Sequence, residues 1–222
     1  MRIATAPIVG VSLAVGLSYP LLWDQLPGLP GMALKGAGVG LLALAAALRA
    51  RGPDGWLLAL VLALGSAGDV LLELNLASGA AAFAVGHVAA ILLYRRNRRL
   101  EPDRMDIAVA LLLLATAAAV PALLLWGRPE AVPFTLYALP LGAMAARAWL
   151  SRFPRALTGL GAILFLASDM LIAFRMAGDA AGLAAPIWLL YYVGQLLIFI
   201  GATSSLPARP AGRGTMRSMV EG

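Results

Sequence analysis

Eight apolar runs, each close to the length of a membrane-spanning helix, dominate this sequence. They cover residues 4–22, 31–48, 56–74, 79–94, 107–126, 132–150, 156–176 and 183–206. A bilayer core about 30 Å thick needs roughly 20 consecutive apolar residues per helix. The polar stretches between the runs are too short to fold alone. We therefore expect an all-α polytopic membrane protein of about eight helices. It would form one domain over residues 1–206, followed by a disordered cytoplasmic tail over residues 207–222.

Composition excludes several other classes of protein. Hydrophobic residues make up 61% of the chain and charged residues only 13%, whereas soluble domains carry about 25% charged residues. The chain has no cysteine, which excludes disulfides, thiolate catalysis and cysteine-based metal sites. The net charge of +6 comes from arginines between the apolar runs. Lipid headgroups and membrane topology explain these arginines, so no nucleic-acid partner is expected.

The arginines also predict the orientation of the chain. If the N-terminus is cytoplasmic, fourteen basic residues fall in the cytoplasm, and only Arg128 and Arg175 fall outside. Such a bias is typical of the positive-inside rule, so both termini are expected in the cytoplasm. Arginine outnumbers lysine sixteen to one, which resembles a GC-rich bacterial genome and favours a bacterial inner membrane. The first run is interpreted as a helix, because no clear signal-peptide cleavage site precedes Pro20.

Polar side chains inside the apolar runs are the candidate functional residues. They are Lys35, Asp69, Glu73, His87, Asp169, Tyr191, Tyr192 and Gln195. A charged side chain at mid-bilayer costs about 2.5–3.5 kcal/mol on insertion scales, so such residues usually face a protein interior. Counting about 1.5 Å per residue from the basic loops puts Lys35, Asp69, Asp169 and Gln195 at one depth. Glu73 lies one turn above Asp69 and His87 lies deeper, which predicts a site in the outer half of the membrane.

A weak internal repeat supports this arrangement. Gly-Asp-Val-Leu-Leu at 68–72 matches Ser-Asp-Met-Leu-Ile at 168–172 with an offset of 100 residues. The two segments lie on helices that run in the same direction, which suggests two four-helix halves related by an axis along the membrane normal. Parallel repeats of this kind place sites at their interface.

Individual residues keep alternative interpretations. Asp69 and Asp169 form an acid/base pair, or each pairs separately with Lys35 or a helix end. Lys35 is an electrostatic partner or a phosphate ligand, and His87 is a proton carrier or bonds a neighbouring carbonyl group. Tyr191, Tyr192 and Gln195 serve the site or join helices by hydrogen bonds. One histidine without cysteine cannot build the usual zinc ligand sets, so no metal and no cofactor are expected.

The order of these residues resembles the YhhN family, the lysoplasmalogenases and their bacterial relatives, over about residues 5–205. The resemblance is carried by Lys35, Gly68-Asp69-Val70 with Glu73, Phe83 with Gly86-His87 and Tyr94, Ser168-Asp169, and Tyr191-Tyr192 with Gln195. It implies hydrolysis of the vinyl ether of a lysoplasmalogen to a fatty aldehyde and a glycerophospho-base. The expected partners are the lysophospholipid substrate and membrane lipids, with no obligatory protein partner.

The residues fit that chemistry. Vinyl ether hydrolysis needs one protonated carboxyl group and one carboxylate, and two carboxyl groups in a low-dielectric site divide in this way. Asp69 and Asp169 would share these roles, while Glu73, Tyr192 and Gln195 orient water and the glycerol hydroxyl. Two other functions stay open: a proton-coupled transporter, and another lysolipid hydrolase. A zinc-dependent membrane hydrolase is disfavoured, since His87 is the sole histidine.

Overall fold

The computed structural model describes residues 5–178 and 180–206, and its regular structure is helical. The helices are α1 (Ala6–Leu22), α2 (Leu29–Arg49), α3 (Gly52–Leu74), α4 (Leu76–Arg96), α5 (Arg104–Leu124), α6 (Ala131–Trp149), α7 (Leu160–Ala177) and α8 (Ala184–Ser205). A π-helical turn (Arg155–Gly159) precedes α7, and a 3-10 turn (Ala181–Leu183) precedes α8. The expected tail, residues 207–222, lies outside the described residues, as does Arg2.

The expected eight-helix membrane fold is confirmed. Six of the described helices are long and apolar enough to cross a membrane, namely α2, α3, α4, α5, α7 with its π-helical turn, and α8. α1 is apolar but has only 17 residues. α6 has 19 residues and includes Pro133, Pro140 and Arg147, which make it less apolar than its neighbours.

Several prolines lie in the first turns of helices. α3 begins at Gly52, four residues before the apolar run at 56–74, and Pro53 lies in its first turn. A proline is tolerated there, since the missing N–H would have no partner within the helix. Pro186, within the apolar run at 183–206, lies in the first turn of α8 and not in its interior. Pro121 and Pro140 do lie inside α5 and α6.

Glycines allow α7 and α8 to approach closely. A Cβ added to Gly161 would lie 2.6 Å from the carbonyl oxygen of Gly194, and one added to Gly194 would lie 2.7 Å from the carbonyl oxygen of Gly161. The two backbones are therefore in direct contact, as expected for small residues at a membrane helix interface.

Contacts between the two halves of the chain agree in part with the internal repeat. α4 packs against α6, and α8 packs against α2. If the first four helices are exchanged with the last four, α4 becomes α8 and α6 becomes α2. The two contacts are therefore equivalent under a two-fold relation. The symmetry is approximate. α5 packs against α7, whereas α1 and α3 share no contact of this kind within the described part of the chain.

Polar side chains tie together the loops at one end of the bundle, which we call the arginine-rich end. Asn97, after α4, donates to Asp54 at the start of α3 over 3.0 Å, and it accepts from Arg152, between α6 and α7, over 2.9 Å. Asp106, in the first turn of α5, pairs with Arg155 of the π-helical turn. These contacts join the starts of α3, α5 and α7 to the end of α4.

Candidate active site

A cavity of about 800 Å³, which we call the main cavity, lies at the end of the bundle opposite the arginine-rich end. All of the described helices except α5 contribute to its wall. The wall is mostly apolar, with side chains such as Leu72, Phe134 and Ile172. This volume falls within the range of about 300–1,000 Å³ that is usual for small-ligand sites.

Asp69 of α3 is held in this cavity by a tyrosine of α8. Its side chain is buried, with 2% of its surface exposed. The Tyr191 hydroxyl donates a hydrogen bond to Asp69 Oδ2 over 2.8 Å. One turn earlier, Gly65 leaves the necessary space: a Cβ there would lie 3.3 Å from Tyr191 Oη and 2.9 Å from Gln195 Nε2. Helix packing through a glycine thus sets the position of the carboxyl group.

Asp169 of α7 has a similar arrangement with a different helix. It is 4% exposed, and its Oδ2 accepts a hydrogen bond from the Tyr137 hydroxyl of α6 over 2.7 Å. His87 Nε2 of α4 lies 3.5 Å from the same hydroxyl, at the limit of a hydrogen bond. Because Tyr137 gives its hydrogen to Asp169, His87 can bond the tyrosine oxygen only from an Nε2–H.

The two aspartates face one common space. Both line the main cavity, together with Tyr137 and Tyr191. Each carboxyl group has Oδ2 occupied by a tyrosine hydroxyl, and among the described residues neither Oδ1 makes a hydrogen bond. Two carboxyl oxygens are therefore available to a ligand.

Lys35 and Glu73 form an ion pair in the wall of the same cavity. Lys35 Nζ of α2 lies 2.5 Å from Glu73 Oε1 of α3, and their side chains are 16% and 42% exposed. Glu73 follows Asp69 by one turn on the same face of α3. The lysine is thus engaged by the carboxylate above Asp69, nearer the end of the helix.

Three aromatic rings form the floor of the main cavity. The ring centroids of Phe83, Phe165 and Tyr191 lie 5.0–5.9 Å from one another, and all three rings line the cavity. Behind Phe83 and Phe165 lies a second void of only about 10 Å³, lined by His87 and Gln195 among others. Such a void has room for about one water molecule.

Gln195 and His87 therefore lie behind this floor. Gln195 is fully buried, and its Oε1 has no hydrogen-bond partner among the described residues. The depth predicted for Gln195 placed it beside Lys35, Asp69 and Asp169. The structure brings those three to the main cavity but puts Gln195 on its far side.

Tyr192 lies away from the cavity, although it is adjacent in sequence to Tyr191. Its hydroxyl is 3.0 Å from Ser12 Oγ of α1, and Ser12 donates to the carbonyl oxygen of Gly38 on α2 over 2.6 Å. Tyr192 thus joins α8 to α1 and α2, which matches the alternative of a hydrogen bond between helices.

Tyr137 is the site residue that sequence reasoning missed. The available signal was a tyrosine within an apolar run, the same signal that drew attention to Tyr191. Its relation to Asp169 depends on how α6 packs against α7, which the sequence does not state. As for metals, no group of three or more His, Cys, Asp or Glu side chains within residues 5–178 and 180–206 is arranged to hold an ion.

Comparison with known proteins places this chain in a family. The sequence model of the YhhN family matches residues 31–202. Proteins named lysoplasmalogenase from Mycobacterium bovis and Mycobacterium tuberculosis are each 33% identical to this chain, in an alignment that covers 76% of this chain and 69% of the relative. No solved structure matches. The match covers most of the chain and includes every polar residue of the main cavity on α2, α3, α7 and α8. As the resemblance predicted, the chain belongs to the YhhN family.

Proposed function

We propose that this protein hydrolyses the vinyl ether bond of lysoplasmalogens, giving a fatty aldehyde and a glycerophospho-base. The observation that carries the proposal is that Asp69 and Asp169 line one mostly apolar cavity, and that the Oδ1 of each has no hydrogen-bond partner in the described part of the chain. The name of the mycobacterial relatives, lysoplasmalogenase, supports the same activity.

The reaction requires an acid and a base at one place. The acid adds a proton to the outer alkene carbon, and the electrons of the double bond form the new C–H bond. This leaves an oxocarbenium ion, which water attacks while the base removes a proton from it. The hemiacetal hydroxyl then loses its proton while the glycerol oxygen gains one, and the bond between that oxygen and the former alkene carbon breaks, which releases the aldehyde and the glycerol hydroxyl. Transfer of the proton that the base took from water to the ionised acid restores the starting state. Proton transfer by positioned side chains contributes about 10²–10⁴-fold to the rate of such steps.

The two aspartates meet these requirements. One carboxyl group carries the proton on Oδ1, because Oδ2 already accepts a tyrosine hydrogen. The other is ionised, stabilises the oxocarbenium ion and takes a proton from water. A low-dielectric site favours this division, since two neighbouring carboxylates repel each other strongly there. Lys35, held by Glu73, offsets part of the negative charge on the α3 side.

The surroundings suit a single-chain lipid in a bacterial inner membrane. The apolar wall accepts an alkyl chain and excludes bulk water, which protects the cation until the bound water attacks it. With both termini in the cytoplasm, as the arginine distribution favours, the main cavity lies in the outer half of the bilayer.

Substitution of the two aspartates tests the proposal. Asp69→Asn and Asp169→Asn should each lower aldehyde release from a lysoplasmalogen at least 100-fold in purified, folded protein. Asp24→Asn, in the exposed loop after α1, is the matched control and should keep full activity. Retention of more than about a tenth of the wild-type rate by either cavity variant would contradict the acid/base roles. Recovery of intact lipid with the wild-type protein, and no aldehyde by mass spectrometry, would favour transport instead.

A further inference from the structure

The floor of the main cavity restricts where an alkyl chain can go. The rings of Phe83, Phe165 and Tyr191 pack against one another below the aspartates, and the void behind them holds only about 10 Å³. A void with room for about one water molecule cannot hold an alkyl chain of many carbons. A chain that reaches the aspartates therefore has to leave the cavity sideways.

One side of the cavity provides such a path. Between α4 and α6, which are packed against each other, the wall consists of apolar residues. Ala80 and Phe134 lie within it, and Leu76, Ala77 and Pro133 are exposed on the surface of the bundle. This apolar part of the wall thus extends to the surface of the bundle.

The rim offers a cation at a suitable distance for a phosphate. Arg175 lines the main cavity and follows Asp169 by six residues on α7, a rise of about 9 Å. In a lysophospholipid about six covalent bonds, roughly 7–8 Å, separate the carbon bonded to the ether oxygen from the phosphorus atom. Among the described residues Arg175 makes no ion pair, whereas Lys35, the other cation of the wall, is engaged by Glu73.

We infer that a lysophospholipid binds with its phosphodiester at Arg175 and its alkyl chain passing between α4 and α6 into the bilayer, which places the ether linkage beside the two aspartates. This binding mode rests on the proposed function for its choice of ligand. Guanidinium and phosphate form charge-assisted, bidentate hydrogen bonds, which accounts for an arginine at this position.

The headgroup end is tested with a saturated alkyl lysophospholipid, which has no vinyl ether and is not cleaved. Arg175→Gln should weaken its binding at least 10-fold while leaving the binding of the corresponding alkylglycerol, which lacks the phosphate, unchanged. Arg95→Gln, an exposed arginine at the other end of the bundle, is the control and should bind both as the wild type does. Equal binding of the phospholipid by wild type and Arg175→Gln overturns the assignment, and so does equal weakening of both ligands.

The path of the alkyl chain is tested by substitutions on α4. Ala80→Trp should weaken binding of a 16-carbon alkyl lysophospholipid at least 10-fold but affect a 4-carbon homologue less than 2-fold, because only the long chain reaches the wall between α4 and α6. Ala81→Trp, on the exposed face of the same helix and not in the cavity wall, should leave both unchanged. If Ala80→Trp weakens binding of both homologues equally, or of neither, the proposed path of the alkyl chain is wrong.

Because these ligands are not cleaved, the outcome is independent of the chemistry. If the wild type binds them as described but releases no aldehyde from a lysoplasmalogen, the proposed function fails and the binding mode stands. If aldehyde is released but neither variant discriminates between the ligands, the binding mode fails alone.

Discussion

The hydroxyl of Tyr191 lies 2.8 Å from Asp69 Oδ2, whereas the hydroxyl of its neighbour Tyr192 lies 3.0 Å from Ser12 Oγ on the other side of α8. The two tyrosines therefore form a matched pair for mutation. Tyr191→Phe removes a hydrogen bond to Asp69, worth about 1.5–3 kcal/mol when the carboxyl group is charged. With Asp69 in its proposed acid/base role, we expect kcat for aldehyde release to fall about 10–150-fold. Tyr192→Phe should keep kcat and lower the Tm measured in detergent by a few degrees. An equal loss of kcat in both variants would count against a specific role for Tyr191.

Tyr137 provides the corresponding test at Asp169. Tyr137→Phe leaves Asp169 Oδ2 without its donor, and we expect a fall in kcat of about 10–100-fold with little change in KM. His87→Gln should reduce kcat less than Tyr137→Phe does, because the histidine is 3.5 Å from the tyrosine and meets Asp169 only through it. The measurement is steady-state aldehyde release by both variants under the same conditions. A larger effect of His87→Gln would show that the histidine acts on the substrate directly.

The Lys35–Glu73 pair predicts a non-additive effect on stability. Lys35→Met leaves the Glu73 carboxylate unpaired in a partly apolar wall and should destabilise the protein by about 1–2 kcal/mol, between the values for exposed and buried pairs. The double variant Lys35→Met/Glu73→Gln should regain part of that loss, since it leaves no uncompensated charge. Thermal unfolding of the two single variants and the double variant in detergent gives the coupling directly. Simple addition of the two single effects would mean that the pair contributes nothing.

The contact between α7 and α8 predicts a steric effect on stability. In Gly161→Ala the new Cβ would lie 2.6 Å from the carbonyl oxygen of Gly194, and backbone on both sides limits relaxation. We expect a loss of about 1–3 kcal/mol and a Tm several degrees lower. Gly10→Ala is the control: it lies on a helix with no atom within 4 Å of the added Cβ, so its Tm should stay the same or rise slightly. An unchanged Tm for Gly161→Ala would mean that the helices separate at little cost.

The sequence predicted the axial positions of the main residues well, because the rise per residue in a helix is fixed. Lys35, Asp69 and Asp169 were placed at one depth by counting from the basic loops, and all three line the main cavity. The number and type of the helices followed from the apolar runs for the same reason. Helix starts were less certain, since Pro53 lies outside the apolar run at 56–74 but inside the first turn of α3.

The direction in which a side chain points around its helix was not predictable in this way. Tyr191 and Tyr192 differ by one residue, about 100° around the helix axis, and that difference separates the cavity from the α1–α2 interface. Gln195 was expected beside Asp69 and Asp169, but it lies behind the aromatic floor. Apolar faces do not distinguish these directions in a membrane helix, because lipid and protein interior are similarly apolar.

The internal repeat also gave only part of the site. It related Asp69 to Asp169, but their tyrosine partners come from non-equivalent helices, α8 for Asp69 and α6 for Asp169. A search for equivalent residues in the two halves therefore could not find Tyr137. That contact depends on the packing of α6 against α7, a tertiary property.

The hydrogen bonds that Asn97 makes to Asp54 and Arg152 bear on how the protein can move. Because these contacts join the loops at the arginine-rich end, relative motion of the helices would pivot near that end. Any separation of α4 from α6 that admits a lipid would then increase with distance from the arginines and be largest near the carboxyl groups of Asp69 and Asp169. Entry of a lipid would leave the contacts at the arginine-rich end in place. The helices can therefore close again in the same register after each turnover.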